Sequence, residues 1–288
     1  MGGSQGGHLA AWQWRCEASA EIDGPGMKIA TWNVNSVRKR TSALLSWLER
    51  CMPDVVLLQE IKCLPEQFPI DELKAKGWHA AIVGQKAYNG VAILSRHEFQ
   101  TVERSLPGGD GDEQARYVEG RWSGARGKLR AASIYLPNGN PFGTDKFTYK
   151  LAFLERLQRH AAALLETDDA VVLGGDFNVC PTPNDLYDPV GWANDALFRP
   201  ESRAALRSIV HLGYTEAWRS LHPDETGYTF WDYQAGAWQK DHGLRIDHLL
   251  LSPRAADTLI DCTIDRGERG RPEPSDHVPI WCHLEFPM

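Results

Sequence analysis

AVVLGGDFNV (residues 170–179) runs from small and branched apolar residues through two glycines to Asp176 and Asn178. A short valine-rich run of this kind reads as a buried β-strand. As the strand ends, it delivers a carboxylate and an amide. The same design recurs along the chain. KIATWNVN (28–35) brings out Asn33, DVVLLQE (54–60) brings out Glu60, and AASIYLPNGN (131–140) brings out Tyr135 and Asn138. LRIDHLLLS (244–252) carries Asp247, and SDHVPIWCHLEF (275–286) opens with Asp276 and His277. If these ends share a rim, they form one acidic pocket with a single histidine.

Working outward, strands are expected at 27–33, 54–59, 79–84, 90–95, 115–122, 129–136, 170–175, 245–252 and 277–285. Helical periodicity marks 36–50 and 144–166, with a further helix at about 201–212. Many strands and few helices point to an α/β chain of two packed β-sheets with helices outside, in one domain over 27–288. Residues 1–26, rich in Gly, Ala and Ser, read as a disordered tail or a misplaced start before Met27. Glu17, Glu21 and Asp23 do not suit a signal or transit peptide.

The 288 residues are 42% apolar and 24% charged, the composition of a globular protein with a sizeable core. No run approaches the roughly 18 apolar residues of a membrane-spanning helix. Six cysteines without a CxxC pair suggest neither a zinc cluster nor a disulfide framework, so a reducing cytoplasmic setting is expected. The net charge of −7 does not advertise a nucleic-acid binder, although carboxylates gathered at a metal site can mask a basic face in the total.

Taken singly, each polar residue has an ordinary explanation. Glu60 could be a solvated strand cap, Gly174-Gly175 a turn capped by Asn178, Asp276-His277 an N-cap pair, and Tyr135 a core residue with a satisfied hydroxyl. Asp247 stands apart, because a carboxylate inside an apolar strand needs a partner to offset desolvation. The joint pattern carries the argument.

With TWNVNSVRKR, LLQEIKC, GQKAYNGVAILSR, YLPNGNP, GDFNV, TFWDY, GLRIDHLLLS and SDHVPIW in this order, the chain from Met27 to about Phe286 resembles the exonuclease III family of apurinic/apyrimidinic endonucleases. That family lies within the endonuclease/exonuclease/phosphatase superfamily, which includes DNase I. The resemblance implies a DNase I-like four-layer sandwich. It also implies a Mg²⁺-dependent nuclease, with Mn²⁺ as the alternative ion, acting as a monomer on double-stranded DNA with abasic sites or blocked 3′ ends. Cleavage would fall 5′ to the abasic site and leave a 3′-hydroxyl, with 3′→5′ exonuclease activity besides.

By the same resemblance Glu60 would be the principal metal ligand, helped by Asn33 and Asp276. Asp176 would orient or deprotonate the attacking water with Asn178 alongside, and His277 would contact the scissile phosphate with Asp247 holding its other ring nitrogen. Tyr135 would lie near the phosphate and the leaving oxygen, with Asn138 nearby. Arg38, with Lys39 and Arg40, falls where the family meets the DNA backbone. Phe230, Trp231 and Leu244 match its pocket for the base-free sugar. Asn35 stands where some relatives carry Asp, which leaves the number of metals open. Two rivals differ in class. A phosphatase of inositol phosphates or sphingomyelin is disfavoured by TFWDY and GLRID, and a non-catalytic binding module by the complete set of metal, water and phosphate residues.

Overall fold

The computed structural model describes residues 26–109, 111–124 and 127–285. Its strands are β1 (Met27–Asn33), β2 (Val55–Gln59), β3 (His79–Val83), β4 (Val91–Ser95), β5 (Thr101–Glu103), β6 (Tyr117–Gly124), β7 (Gly127–Tyr135), β8 (Ala170–Asp176), β9 (Thr215–Glu216), β10 (Asp247–Leu251), β11 (Leu259–Ile264) and β12 (Ile280–Leu284). The α-helices are α1 (Val37–Cys51), α2 (Ile70–Ala75), α3 (Asp145–Leu165), α4 (Pro200–Val210), α5 (Ala217–Leu221) and α6 (Pro253–Ala256).

The strands form two six-stranded sheets, ordered β11-β12-β1-β2-β4-β3 and β5-β6-β7-β8-β10-β9. Each sheet has one parallel pair, β1 with β2 and β7 with β8. A parallel pair needs a crossover, which α1 and α3 provide. An antiparallel neighbour flanks each pair, β12 beside β1 and β10 beside β8. The sheets are thus built alike, and each points a parallel pair's carboxyl ends at the same rim.

Alternation along the strands explains the layers. Ile29, Val55, Leu57 and Ile93 from the first sheet meet Val118, Leu129, Ala131, Val172 and Leu249 from the second. On the outer face of the first sheet, Trp32, Val56 and Leu58 pack under Leu44, Trp47 and Leu48 of α1. On the outer face of the second, Ile134, Val171 and Leu173 pack under Phe153, Leu157 and Ala161 of α3 and Leu206 of α4. Residues spaced three or four apart on α3 make this continuous apolar stripe. The result is the expected four-layer, DNase I-like sandwich.

Gly174 and Gly175 belong to β8 and make no turn. A Cβ on Gly174 would come within 2.5 Å of Leu57 Cδ1, so glycine lets the two sheets approach where Asp176 leaves the strand. Just beneath the rim, buried Thr31 Oγ1 donates to Gln59 Oε1 at 3.2 Å, and Gln59 Nε2 donates to Ser133 Oγ at 2.9 Å across the sheets. These bonds satisfy polar groups that burial would otherwise penalise, and they fasten the sheets together under the site.

The long elements fall where the periodicity places them, within a residue or two, except that the strand expected at 277–285 begins only at Ile280. The strand expected at 115–122 is shifted to Tyr117–Gly124. Sequence reading does not find β5, β9, β11, α2, α5 or α6. Most of these are too short to show a period, and Asp261 interrupts β11. The tail reading of residues 1–26 falls outside the described residues apart from Gly26. Among the described residues no helix is long and apolar enough to cross a membrane.

Candidate active site

The ends of β1, β2, β7 and β8 and the starts of β10 and β12 converge. Asn33, the last residue of β1, is buried, and its Nδ2 donates to Glu60 Oε1 at 2.9 Å and to Asp176 Oδ2 at 3.0 Å. One amide thus joins carboxylates from the two sheets. Glu60 follows β2 in a left-handed conformation (φ 50°) that turns its side chain into the rim. Its Oε1 also accepts from Tyr135 Oη at 2.9 Å, and its Oε2 pairs with Lys62 Nζ at 2.6 Å. Burial pushes the Glu60 carboxyl up, but the charge of Lys62 and the hydrogen bonds from Asn33 and Lys62 outweigh it and hold the group below its ordinary value. Burial and the neighbouring charges of Glu60 and Asp176 push the Tyr135 phenol well up, so it keeps its proton at neutral pH.

Asp176 and Asp247 are directly opposite one another in the antiparallel β8–β10 pair. Like charges at such spacing repel, and His277 lies between them. Its Nδ1 is 2.8 Å from Asp247 Oδ2 and its Nε2 is 3.8 Å from Asp176 Oδ2. Burial pulls the imidazole down, but Asp247 and Asp176 together lift it to about 10, so it is an imidazolium at neutral pH. Burial raises Asp176 to about 7; His277 opposes this, while Asp247 and Glu60 add to it. Asp176 is therefore poised to gain or lose a proton near neutrality. Its Oδ1 accepts from the Asn178 backbone N–H at 2.9 Å. The Asn178 side chain is held by Asn138 Nδ2 (3.0 Å) and by the Leu136 carbonyl (3.0 Å).

Glu60, Asp176 and His277 each present an atom within 4.8 Å of the others, an arrangement that could hold a cation. A protonated imidazole is a poor metal ligand and Asp176 is raised towards neutrality, which leaves the ionised Glu60 as the principal donor. A carboxylate donor suits a hard, oxygen-seeking divalent ion.

The sequence matches the endonuclease/exonuclease/phosphatase family over residues 30–277. The chain belongs to that family. It is 31% identical over 269 residues to the exodeoxyribonuclease III of Haemophilus influenzae, a comparison covering 90% of this chain and 100% of the relative. An AP endonuclease from Archaeoglobus fulgidus has the same fold, with a TM-score of 0.85 at 34% identity over 90% of this chain and 100% of that one. The 3′ phosphatase NExo from Neisseria, solved with a product DNA hairpin, superposes with a TM-score of 0.87 at 36% identity, again over 90% and 100% of the two chains. Like these relatives, the chain is a hydrolase of the nuclease type.

Within this family member, Asn33, Glu60, Tyr135, Asn138, Asp176, Asn178, Asp247 and His277 all meet at the rim. Two of the residues expected at the metal make other contacts in this structure. Asn33 turns its amide nitrogen to the carboxylates, while its Oδ1 accepts from the Asn35 backbone N–H at 3.0 Å, so it bridges acids. Asp276 stands outside the cation cluster, its Oδ1 accepting from Asn35 Nδ2 at 2.9 Å.

Of the three pocket residues, Phe230 alone borders the chemistry, its half-buried ring edge-on to His277 at 4.9 Å. Trp231 has 0% exposure, donates from Nε1 to Asp241 and packs on Ala237 and Val278. It is core and offers DNA no wall. Leu244 is likewise buried, packed with Leu186 and Ile246 and paired by backbone with Phe230. Successive residues of a strand face opposite ways, which separates Trp231 from Phe230.

Arg38 is exposed and lines a shallow cleft with Lys39, Arg40, Lys62, Asn35 and Tyr233. Lys62 is the residue that sequence reading missed. Its signal was its place two residues after Glu60, which the left-handed turn at 60–62 folds back onto the carboxylate.

Proposed function

We propose that the chain is a DNA-repair nuclease that hydrolyses the phosphodiester 5′ to an abasic site in duplex DNA, leaving a 3′-hydroxyl, and that it also clears blocked 3′ ends and trims 3′→5′. The observation that carries this reading is the alignment of Asp247, His277 and Asp176 beside Glu60. A permanent cation, a carboxylate poised to take a proton and an acidic metal position lie within one pocket. The names of the relatives add the substrate class.

Asp176, raised toward neutrality by burial, accepts the proton of a water attacking phosphorus in line, and Asn178 fixes that carboxylate through its backbone N–H. The His277 imidazolium, kept charged by Asp247, neutralises a non-bridging oxygen as negative charge grows there. The bond from phosphorus to the 3′-oxygen breaks as the new one forms; Tyr135, kept protonated, donates a hydrogen bond to that leaving oxygen, which takes a proton from solvent to become the 3′-hydroxyl. Glu60 would hold Mg²⁺, or alternatively Mn²⁺, which would supply further positive charge for the phosphate oxygens. Arg38 and its basic neighbours support a backbone contact, and Phe230 supports a wall against the extruded sugar.

The test uses end-labelled duplex carrying one abasic analogue, beside an intact duplex, each with Mg²⁺ or with EDTA. Expected are a single Mg²⁺-dependent nick at the analogue, whose 3′ end a polymerase can extend, and slower 3′ shortening of both duplexes. Equal internal cutting of both duplexes, or no cutting of either, would overturn the reading.

A further inference from the structure

Lys150 is fully buried on the face of α3 turned towards the second sheet. Its Nζ donates to the carbonyl oxygens of Asn138 at 3.0 Å, Asn178 at 2.6 Å and Ala196 at 3.2 Å. An ammonium has three protons and no acceptor, so three carbonyls satisfy it completely. These carbonyls lie on three separate stretches: the connection leaving β7, the connection leaving β8, and the turn before α4.

The first two stretches carry side chains that meet at the rim, where Asn138 Nδ2 donates to Asn178 Oδ1 at 3.0 Å. Between them and the lysine there is no slack. A Cβ on Gly139 would come within 2.6 Å of Lys150 Cδ, and its φ of 86° is one that glycine tolerates, so the chain crosses directly over the lysine stem. Asn178 is itself left-handed at φ 49°, a conformation held by surrounding bonds rather than preferred.

A buried ammonium answered only by neutral carbonyls is costly, and a methionine of similar length would fill the same space without a buried charge, at the expense of leaving three carbonyls unpaired. Packing alone therefore does not account for an amine at this position. What the amine adds is three directed bonds that converge on one point behind the catalytic carboxylate.

We propose that Lys150 is a positioning residue for the hydrolysis, fixing the connection after β7 against the connection after β8 and thereby holding Asn178 beside Asp176. It is too deeply buried to touch DNA. It acts through the Asn178 backbone N–H, which meets Asp176 Oδ1 at 2.9 Å, and through the Asn178 side chain.

The inference rests on the nuclease reading, so the test has one arm that needs activity and one that does not. In the first, Lys150→Met, Asn178→Ala and the double variant are assayed on the abasic-analogue duplex with Mg²⁺. Lys150→Met should lower kcat about a hundredfold, the scale of a misplaced catalytic group, with KM within about threefold. In the Asn178→Ala background the same change should cost no more than about threefold, because two residues acting through one geometry do not add. A purely structural lysine would give the same loss in both backgrounds.

In the second arm, backbone hydrogen exchange followed by mass spectrometry should show peptides spanning 136–140 and 176–180 opening faster in Lys150→Met, with β1, β2 and α1 unchanged. If the methionine variant does not fold, Lys150→Gln, which keeps two donors, takes its place in both arms. Additive losses in the cycle, or exchange at both loops equal to that of the parent protein, would overturn the proposal. Should the parent protein leave the duplex uncut, the exchange arm alone decides the role of Lys150, and the nuclease reading fails separately.

Discussion

At the rim, the β1–β2 end of one sheet faces the β7–β8 end of the other. The two are built from the same parallel pair, crossover helix and antiparallel neighbour, yet their surroundings are opposite. The Glu60 and Lys62 side chains keep 17% and 27% of their surface exposed, while those of Asp176 and Asp247 keep 2% and 0%. Exposure leaves the first edge open to a hydrated cation and to the DNA backbone, and Lys62 and Asn33 keep its carboxyl group ionised against partial burial. Burial on the second edge drives Asp176 to about 7 and, through paired carboxylates, His277 to about 10. One edge is suited to exchanging ions with solvent and the other to holding protons. A hydrolysis at neutral pH needs both, and a single sheet rim of uniform polarity could not supply them.

The largest expected effect tests the buried edge. Asp176→Asn keeps the shape of the acid and one of its two accepted hydrogen bonds but removes its proton-accepting charge, so kcat should fall about 10³–10⁴-fold, the upper range for a general base. Raising Mg²⁺ or Mn²⁺ should not restore it. Restoration by metal would place Asp176 on the ion-exchanging side and break the contrast between the edges.

Glu60→Gln should behave in the reverse way. Calorimetric titration should show Mg²⁺ binding weakened at least about tenfold, with turnover recovering in part as Mg²⁺ or Mn²⁺ is raised, because the lost charge lies where ions exchange freely. Unchanged affinity would remove Glu60 from the metal position.

How far the sequence carried this reading depends on the same contrast. Asp247 was legible because a charge inside an apolar strand is costly and so stands out, and Asp176 and His277 through their joint placement at strand ends and the resemblance those segments carry. The bridging of two carboxylates by Asn33 and the bond from Asn35 to Asp276 were not, since both appear only once distant strand ends are brought together. Trp231 was misplaced because TFWDY does not reveal which face of the segment turns inward. Lys150 gave no signal at all. On α3 it falls on the apolar stripe, and only the loops from two other elements make its amine meaningful. The short β5, β9 and α5 were hidden because each is set by its neighbours rather than by its own period.

The pair His277 and Asp247 sharpens the account of the buried edge. His277→Ala should cost more turnover than Asp247→Ala, and the double variant little more than His277→Ala, because Asp247 acts through the ring it holds. Stability of the metal-free protein gives an independent check. His277 is raised from 6.5 to about 10, so the folded protein binds more protons than the unfolded chain between those values. Its contribution is complete below 6.5 and is lost as pH climbs towards 10. Other groups titrate in the same window, so the quantity to measure by denaturant unfolding in EDTA is the difference between the parent protein and His277→Asn. That difference should shrink steadily from pH 6.5 to pH 10. A constant difference would mean that the imidazole is neutral and that the buried edge does not hold this proton.

The smallest expected effect lies where the two edges meet. Phe230 hydrogen-bonds through its backbone to Leu244 and pairs with His277, so it spans the segments before β10 and β12 while its ring stays partly exposed. An extruded sugar without a base is small and largely apolar, so an aromatic wall can accept it while excluding an intact nucleotide. Phe230→Ala should therefore lower the ratio of kcat/KM on abasic duplex to that on intact duplex by about tenfold, the discrimination that a modest apolar contact supplies. Some preference should survive, because a nucleotide without a stacked base leaves the helix more cheaply whatever the protein offers. The ring also lies edge-on to His277 at 4.9 Å, so truncation could disturb the imidazolium instead of the wall. Phe230→Leu separates the two effects. It restores apolar bulk without a ring edge, so it should recover most of the discrimination if Phe230 acts as a wall. If instead leucine leaves the ratio as low as alanine does, while turnover on both duplexes falls together, Phe230 serves the buried edge by packing against His277.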